Sequence, residues 1–389
     1  MTRAQIVGWS HSKFGKAEEP DTESLIASVL QPALDHAGIG AESVDGIFVG
    51  VFNGGFSRQD FQGALVALAD EKLRFVPAIR YENACATGSA ALYGAIDFIE
   101  SGRGKIALVV GAEKMTATPT AEVGDILLGA SYVKEEADVP AGFAGLFGKI
   151  AGGYFQRYGD QSDALAMIAA KNHRNGLDNP YAHMRKDFGF EFCNTPSDKN
   201  PHVAGPLRRT DCSLVSDGAA ILVLADEETA RELNRAIAFR GRVQVNDFLP
   251  ISRRDVLEFA GARKAWADSL AMAGLTLDDL SFVETHDCFT VAEMLEYEAM
   301  GLAERGQGHR VIREGITAKG GKLPVNPSGG LKSKGHPIGA TGVSQHVMAA
   351  MQLAGEAGDM AVPSATVAGV FNMGGVSVAN YCSILERVK

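Results

Sequence analysis

Along the chain, short apolar runs of strand length alternate with longer stretches rich in Ala, Leu and Gly at helical spacing. The alternation repeats itself. Residues 34–49 read LDHAGIGAESVDGIFV, and residues 270–285 read LAMAGLTLDDLSFVET. Each predicts a helix ending at Ala-Gly, an acidic turn and then a strand, because glycine after the last turn is a C-cap signal and the Val/Ile/Phe run reads as buried strand. A second match follows. Residues 85–92 (CATGSAAL) and 339–346 (GATGVSQH) both place Ala-Thr-Gly before a long helix of small residues. The copies are offset by 236 (270 − 34) and 254 (339 − 85) positions, so the order of elements is kept. Further apolar strands are predicted at 106–111 (IALVVG) and 219–225 (AAILVLA), which implies central sheets covered by helices on both faces. The expected organisation is two similar α/β halves, residues 1–115 plus 208–232 and residues 233–389. Between them lies an inserted loop domain, residues 116–207, with no repeat partner.

Composition narrows the picture. The 389 residues carry a formal net charge of -10, which argues against nucleic acid as a partner. An anionic ligand then needs a local basic site. Residues 165–209 supply seven Lys/Arg against four Asp/Glu, an excess of three, as expected of a ligand-binding lid. Residues 315–342 hold four Lys and no acid, which predicts a positive loop surface. Five scattered cysteines without metal-ligand spacing fit neither a disulfide scaffold nor a zinc site, and a reducing, cytoplasmic setting is expected. No apolar run approaches membrane-spanning length, and no signal segment is evident.

Four segments carry candidate chemistry. Cys85, in YENACATGSAAL, opens a helix, and unpaired N–H groups and the dipole there are expected to lower the thiol pKa. His336, in NPSGGLKSKGHPIGATG, is delivered by a turn-rich loop and is the expected base for that thiol. His286 and Cys288, in VETHDCFT, follow a strand of the second half at its carboxyl end, where doubly wound sheets gather ligands. Two apart, they are expected to face one cavity with Asp287 turned away. Finally, FNMGGV at 371–376 follows an apolar strand and offers a glycine turn whose N–H groups suit an oxyanion.

Taken together, NACATGSAA, HDCF, NPSGGLKSKGHPIGATG and FNMGG resemble the thiolase family, most closely the sterol-carrier-type thiolases, over almost the whole chain. The resemblance implies an α/β, duplicated, five-layered α-β-α-β-α fold. It implies an acyltransferase that carries an acyl group on Cys85 and makes or cleaves a 3-oxoacyl-CoA. His336 is then the activating base, and the amides of Cys85 and Gly374 form an oxyanion hole. His286, with His336, stabilises the enolate oxygen, and Cys288 is the acid/base for the α-carbon. Where ordinary thiolases place a second cysteine in the glycine turn, this chain has Asn372. Ser213 matches a position near the pantetheine arm, and Arg174, Arg185 and Lys334 are candidate contacts for coenzyme A. The resemblance further implies a coenzyme A thioester as substrate with no bound metal or redox cofactor, a homodimer or homotetramer, and the option of a small partner protein. A ketoacyl-synthase-like condensing enzyme, a complex-dependent acyltransferase or aldolase, and a non-catalytic lipid-binding scaffold are the alternatives.

Overall fold

A computed structural model describes residues 3–389. The first half runs β1 (Ala4–His11), α1 (Thr22–Ala37), β2 (Gly46–Gly50), β3 (Ala78–Tyr81), α2 (Thr87–Glu100) and β4 (Ile106–Glu113). An insert follows with helices α3 (Thr120–Leu128), α4 (Val133–Glu136), α5 (Phe143–Tyr158), α6 (Ser162–Gly176) and α7 (Gly189–Asn194), then the hairpin β5 (His202–Ala204) and β6 (Leu207–Arg208). The chain returns to the first half as β7 (Gly218–Asp226) and α8 (Glu227–Glu232). The second half holds β8 (Ile237–Asn246), α9 (Ala260–Ala273), β9 (Phe282–Glu284), α10 (Thr290–Met300), α11 (Gly308–Arg313), α12 (Gly330–Lys334), α13 (Ile338–Ala354), β10 (Val367–Gly374) and β11 (Ala379–Arg387).

Strand order shows the duplication directly. The nine-stranded sheet reads β3-β2-β4-β7-β1-β8-β11-β10-β9, and is a mirrored list about the β1–β8 junction. In each half the strand before the last helix-bearing crossover pairs in parallel (β2 with β4, β9 with β10), and the final strand pairs antiparallel on both sides. The two halves meet over only two residue pairs, Gln5 with Ala238 and Ile6 with Ile237, so the sheet bends there into two layers. Apolar side chains then fill three separate spaces. One lies between α1 and the first half-sheet. A second lies between the two half-sheets and holds α2 and α13. The third packs α9, α10 and the insert helices α5 and α6 on the outer face of the second half-sheet. These are the five layers. Both predicted Ala-Gly stops are found, at Gly38 (φ 75°) and Gly274 (φ 68°), each in the left-handed region.

The Ala-Thr-Gly repeat sits where the two inner helices cross. A Cβ on Gly88 of α2 would stand 2.8 Å from the Val343 amide of α13, and one on Gly342 would stand 2.4 Å from the Ser89 amide of α2. Only hydrogen at both positions lets the helices touch backbone to backbone. That contact brings the helix start after residue 85 against the helix start after residue 336.

Candidate active site

Cys85 sits in a tight turn ahead of α2. Ala84 before it takes φ 50°, a costly conformation for a residue with a Cβ, and the turn is closed by Ala86 N–H to Asn83 O (3.1 Å) and Thr87 N–H to Ala84 O (3.1 Å). The threonine of the repeat ties this turn down: Thr87 Oγ1 accepts from Asn83 N–H at 2.8 Å. Its counterpart in the other half, Thr341, holds the base. Thr341 Oγ1 donates its one hydrogen to Pro337 O (2.9 Å) and so accepts from His336 Nδ1, 2.7 Å away. His336 Nε2 is thereby left with its lone pair.

The donor atoms of Cys85, His286 and His336 all lie within 4.8 Å of one another, and the two imidazole rings meet edge to face at 5.1 Å. Cys85, Cys288 and His336 line one cavity of ≈ 260 Å³. The remaining wall is apolar, with Phe52, Met115, Leu127, Phe143 and Ile338 prominent, and Ser213 stands on it. Ser213 N–H donates to Cys288 O (2.9 Å), so the segment approaching β7 is fastened to the HDCF segment.

Asp287 is turned away from the cavity, as its alternation with His286 and Cys288 predicts. Its carboxylate accepts from the α12 amides of Leu331 (2.6 Å) and Lys332 (3.1 Å) and from Asn172 Nδ2 (2.8 Å). The residue between the two candidate catalytic groups thus ties their loop to the loop that carries His336. Glu296 of α10 supports the other side: its Oε2 accepts from His286 N–H (3.1 Å) and from Thr285 Oγ1. Glu113 accepts from the amides of Phe52 (2.9 Å), Asn53 (3.0 Å) and Gly339 (3.0 Å), which holds the cavity wall to the start of α13. Thr341, Asn372, Glu296 and Glu113 were not singled out as supports in the sequence. Thr341 carried a signal as a member of the repeated Ala-Thr-Gly, and Asn372 as a member of FNMGG, but neither pointed to a supporting role.

Two expectations need correction. First, the Cys85 thiol is not acidified. Burial pushes it up to about 12, and the N–H groups of Gly375 and of Cys85 itself oppose that shift without reversing it. Burial likewise drives His336 down to about 3, with the Lys334 ammonium adding to the effect, so the resting pair is a neutral thiol beside a neutral imidazole. Besides the N–H of Cys85 itself, the one that reaches the sulfur belongs to Gly375 in the glycine turn. Second, the 315–342 loop does not present a positive surface. Lys319 pairs with Asp178 (2.9 Å) and Lys322 with Asp278 (2.7 Å), while Lys332 and Lys334 are buried. Lys334 reaches Ser344 Oγ (2.8 Å) inside the protein, where a coenzyme A phosphate at the surface has no access to it. Arg174 and Arg185, the other candidate coenzyme A contacts, lie outside the cavity lining. Arg174 pairs with Asp187 at 3.5 Å, and Arg185 donates to Leu177 O.

Comparison with known proteins agrees with this construction. Residues 4–188 match the family model described as thiolase, N-terminal domain, and residues 244–387 match thiolase C-terminal domain-like. The chain is 34% identical to an acetyl-CoA acetyltransferase of Methanothermobacter thermautotrophicus, covering 100% of both chains. It is 32% identical to sterol carrier protein 2 of Bos taurus, covering 96% of this chain and 70% of that one. In fold it is similar to the Ltp2-ChsH2(DUF35) aldolase, with TM-score 0.83, 21% identity and coverage of 99% and 98%. It is also similar to a monomeric SCP2-thiolase like protein type 1 from Mycobacterium smegmatis, with TM-score 0.74, 18% identity and coverage of 99% and 77%. With both halves matched and a relative aligned from end to end, the chain belongs to the thiolase family and is an acyltransferase of the thiolase type.

Proposed function

We propose that the protein forms and cleaves 3-oxoacyl-CoA by Claisen chemistry on an acyl-Cys85 intermediate, with acetyl-CoA as one substrate, as the name of its archaeal relative says of that enzyme. The observation that carries this reading is the meeting of Cys85, His286 and His336 within 4.8 Å, with Cys85, Cys288 and His336 lining one cavity and His286 buried beside them.

Protons and charge balance through four groups. His336 Nε2 takes the Cys85 proton as sulfur attacks the thioester, so the neutral resting pair becomes an acylated sulfur beside an imidazolium that keeps the proton until the last step. The amides of Cys85 and of the Gly374–Gly375 turn hold the oxyanion, and one such donor typically supplies about 3–4 kcal/mol. Cys288 protonates the departing coenzyme A sulfur and is left as thiolate. Burial holds its thiol well above the usual range, so that thiolate is a strong base. It then removes a proton from the α-carbon of a second acyl-CoA while His286 holds the enolate oxygen. The carbanion attacks acyl-Cys85, and the released Cys85 sulfur recovers its proton from His336. The reverse sequence is thiolysis.

Ser213 serves the pantetheine arm on this reading, because it lines the cavity. Arg174 and Arg185 remain proposed phosphate contacts at the exposed face of the insert. The division into residues 1–115 plus 208–232, 116–207 and 233–389 is proposed as the functional one. A homodimer is proposed through the edge strand β3, beside which Phe61, Phe75 and Ile79 stand 79%, 88% and 52% exposed. A small partner protein is proposed by analogy with the aldolase neighbour, whose name joins Ltp2 to ChsH2(DUF35). No helix among the described residues is long and apolar enough to cross a membrane, and a cytoplasmic setting is proposed.

The test separates the half-reactions. Cys288→Ala should still acquire an acyl group from acetyl-CoA, more slowly because coenzyme A must then leave as its thiolate, but should lose thiolysis of acetoacetyl-CoA by the larger factor of about 10²–10⁴, the usual contribution of an acid/base group. Equal loss of acylation and thiolysis would overturn the assignment.

A further inference from the structure

Asn372 lies near the end of β10, just before the glycine turn, at the position where ordinary thiolases carry a cysteine, and the Claisen scheme gives it no chemistry. Its contacts are fully specified. Oδ1 accepts from Ser89 Oγ at 2.7 Å, and Nδ2 lies 3.1 Å from Cys85 O and 2.8 Å from His286 Nδ1. A carbonyl oxygen only accepts, so the amide nitrogen must face Cys85 O, and the flipped amide would set two oxygens against each other. The same nitrogen then points its second hydrogen at His286 Nδ1. Two N–H donors cannot share 2.8 Å, so Nδ1 is bare and the ring hydrogen is on Nε2.

We propose that Asn372 is a positioning residue that fixes His286 as the Nε2–H tautomer, opposite to the Nδ1–H tautomer that Thr341 fixes in His336. The two imidazoles that meet at 5.1 Å are then unlike: His336 offers a lone pair, and His286 offers a hydrogen. This rests on the Claisen reading only for its use, which is that His286 donates to an enolate oxygen and does not compete with His336 for the Cys85 proton. It has a second consequence independent of any reaction. Cys85, His286 and His336 bring a sulfur and two imidazoles within 4.8 Å, a donor set that suits zinc. With Nδ1 accepting from the Asn372 amide and a hydrogen on Nε2, neither nitrogen of His286 offers a free lone pair. Asn372 thereby keeps the catalytic trio from acting as a metal trap. A ligating histidine needs an acceptor at its other nitrogen, and Asn372 presents a donor there.

The tautomer is read without turnover in the protein labelled with ¹⁵N at histidine, by multiple-bond ¹H–¹⁵N correlation, with His286→Gln to assign the signals. The expected spectrum gives His286 a bare Nδ1 and a protonated Nε2, and His336 the reverse. A protonated Nδ1 on His286 overturns the proposal. Asn372→Asp supplies the complementary arm, since a carboxylate accepts from Nδ1–H and frees Nε2. Titrated with Zn²⁺ alone, this variant should bind at least about tenfold more tightly than the native protein, and the gain should vanish on adding Cys85→Ser. Equal Zn²⁺ affinity in native and Asn372→Asp proteins overturns it. Because neither arm requires turnover, failure of the Claisen reading would leave both results interpretable.

Discussion

Burial sets the resting charges of Cys85 and His336. With the thiol at about 12 and the imidazole at about 3, both groups are neutral across the working pH range. At pH 8 only about one Cys85 in 10,000 is thiolate. The thiolate fraction grows with pH because the pKa lies above the range, so iodoacetamide alkylation of Cys85 in the free protein should rise about tenfold per pH unit from about 7 to 10. A plateau near neutrality would mean that a stable thiolate–imidazolium pair exists. His336→Gln removes the only acceptor aligned by Thr341 and should slow acylation by about 10²–10⁴, measured as adduct formation in a single turnover. The sequence singled out Cys85, His286, Cys288 and His336 because each stands in a short segment of unusual composition, and the fold brings them close together. It misjudged the thiol pKa because a helix start is a local feature, whereas burial comes from Phe52, Ile338 and other residues remote in sequence.

At the scale of elements, the inner helices carry the geometry. Gly88→Ala would place a methyl group 2.8 Å from a backbone amide of α13 that has no flexible end to yield. The expected cost is at least about 1–3 kcal/mol, read as a lower denaturant midpoint, with acylation falling too because α2 and α13 carry the two reacting groups. An unchanged midpoint would show that the helices separate freely. Both Ala-Thr-Gly segments and both Ala-Gly helix stops were legible in the sequence because backbone contact and left-handed caps demand glycine. The positive loop was not legible. Charge counting put four lysines on its surface, but the fold buries Lys332 and Lys334 and pairs Lys319 and Lys322 with acids from residues 178 and 278.

At the scale of the molecule, the duplication appears in strand order, and the proposed active site lies where the halves meet: Cys85 from one, His286, Cys288 and His336 from the other. The insert joins the outermost core through α5 and α6, so it is not a detached lid, a fact its Gly- and Pro-rich sequence did not convey. The edge strand β3 and its exposed Ile79 predict a particle of twice the 41.1 kDa chain mass by light scattering, reduced to a monomer by Ile79→Lys. A native monomer would contradict that. The most direct test of the whole account is intact-mass and peptide-mapping mass spectrometry after brief exposure to acetyl-CoA. The account predicts one acetyl group per chain, on the peptide containing Cys85, and none on Cys85→Ala. An acetyl group at another residue, or undiminished labelling of Cys85→Ala, would contradict it.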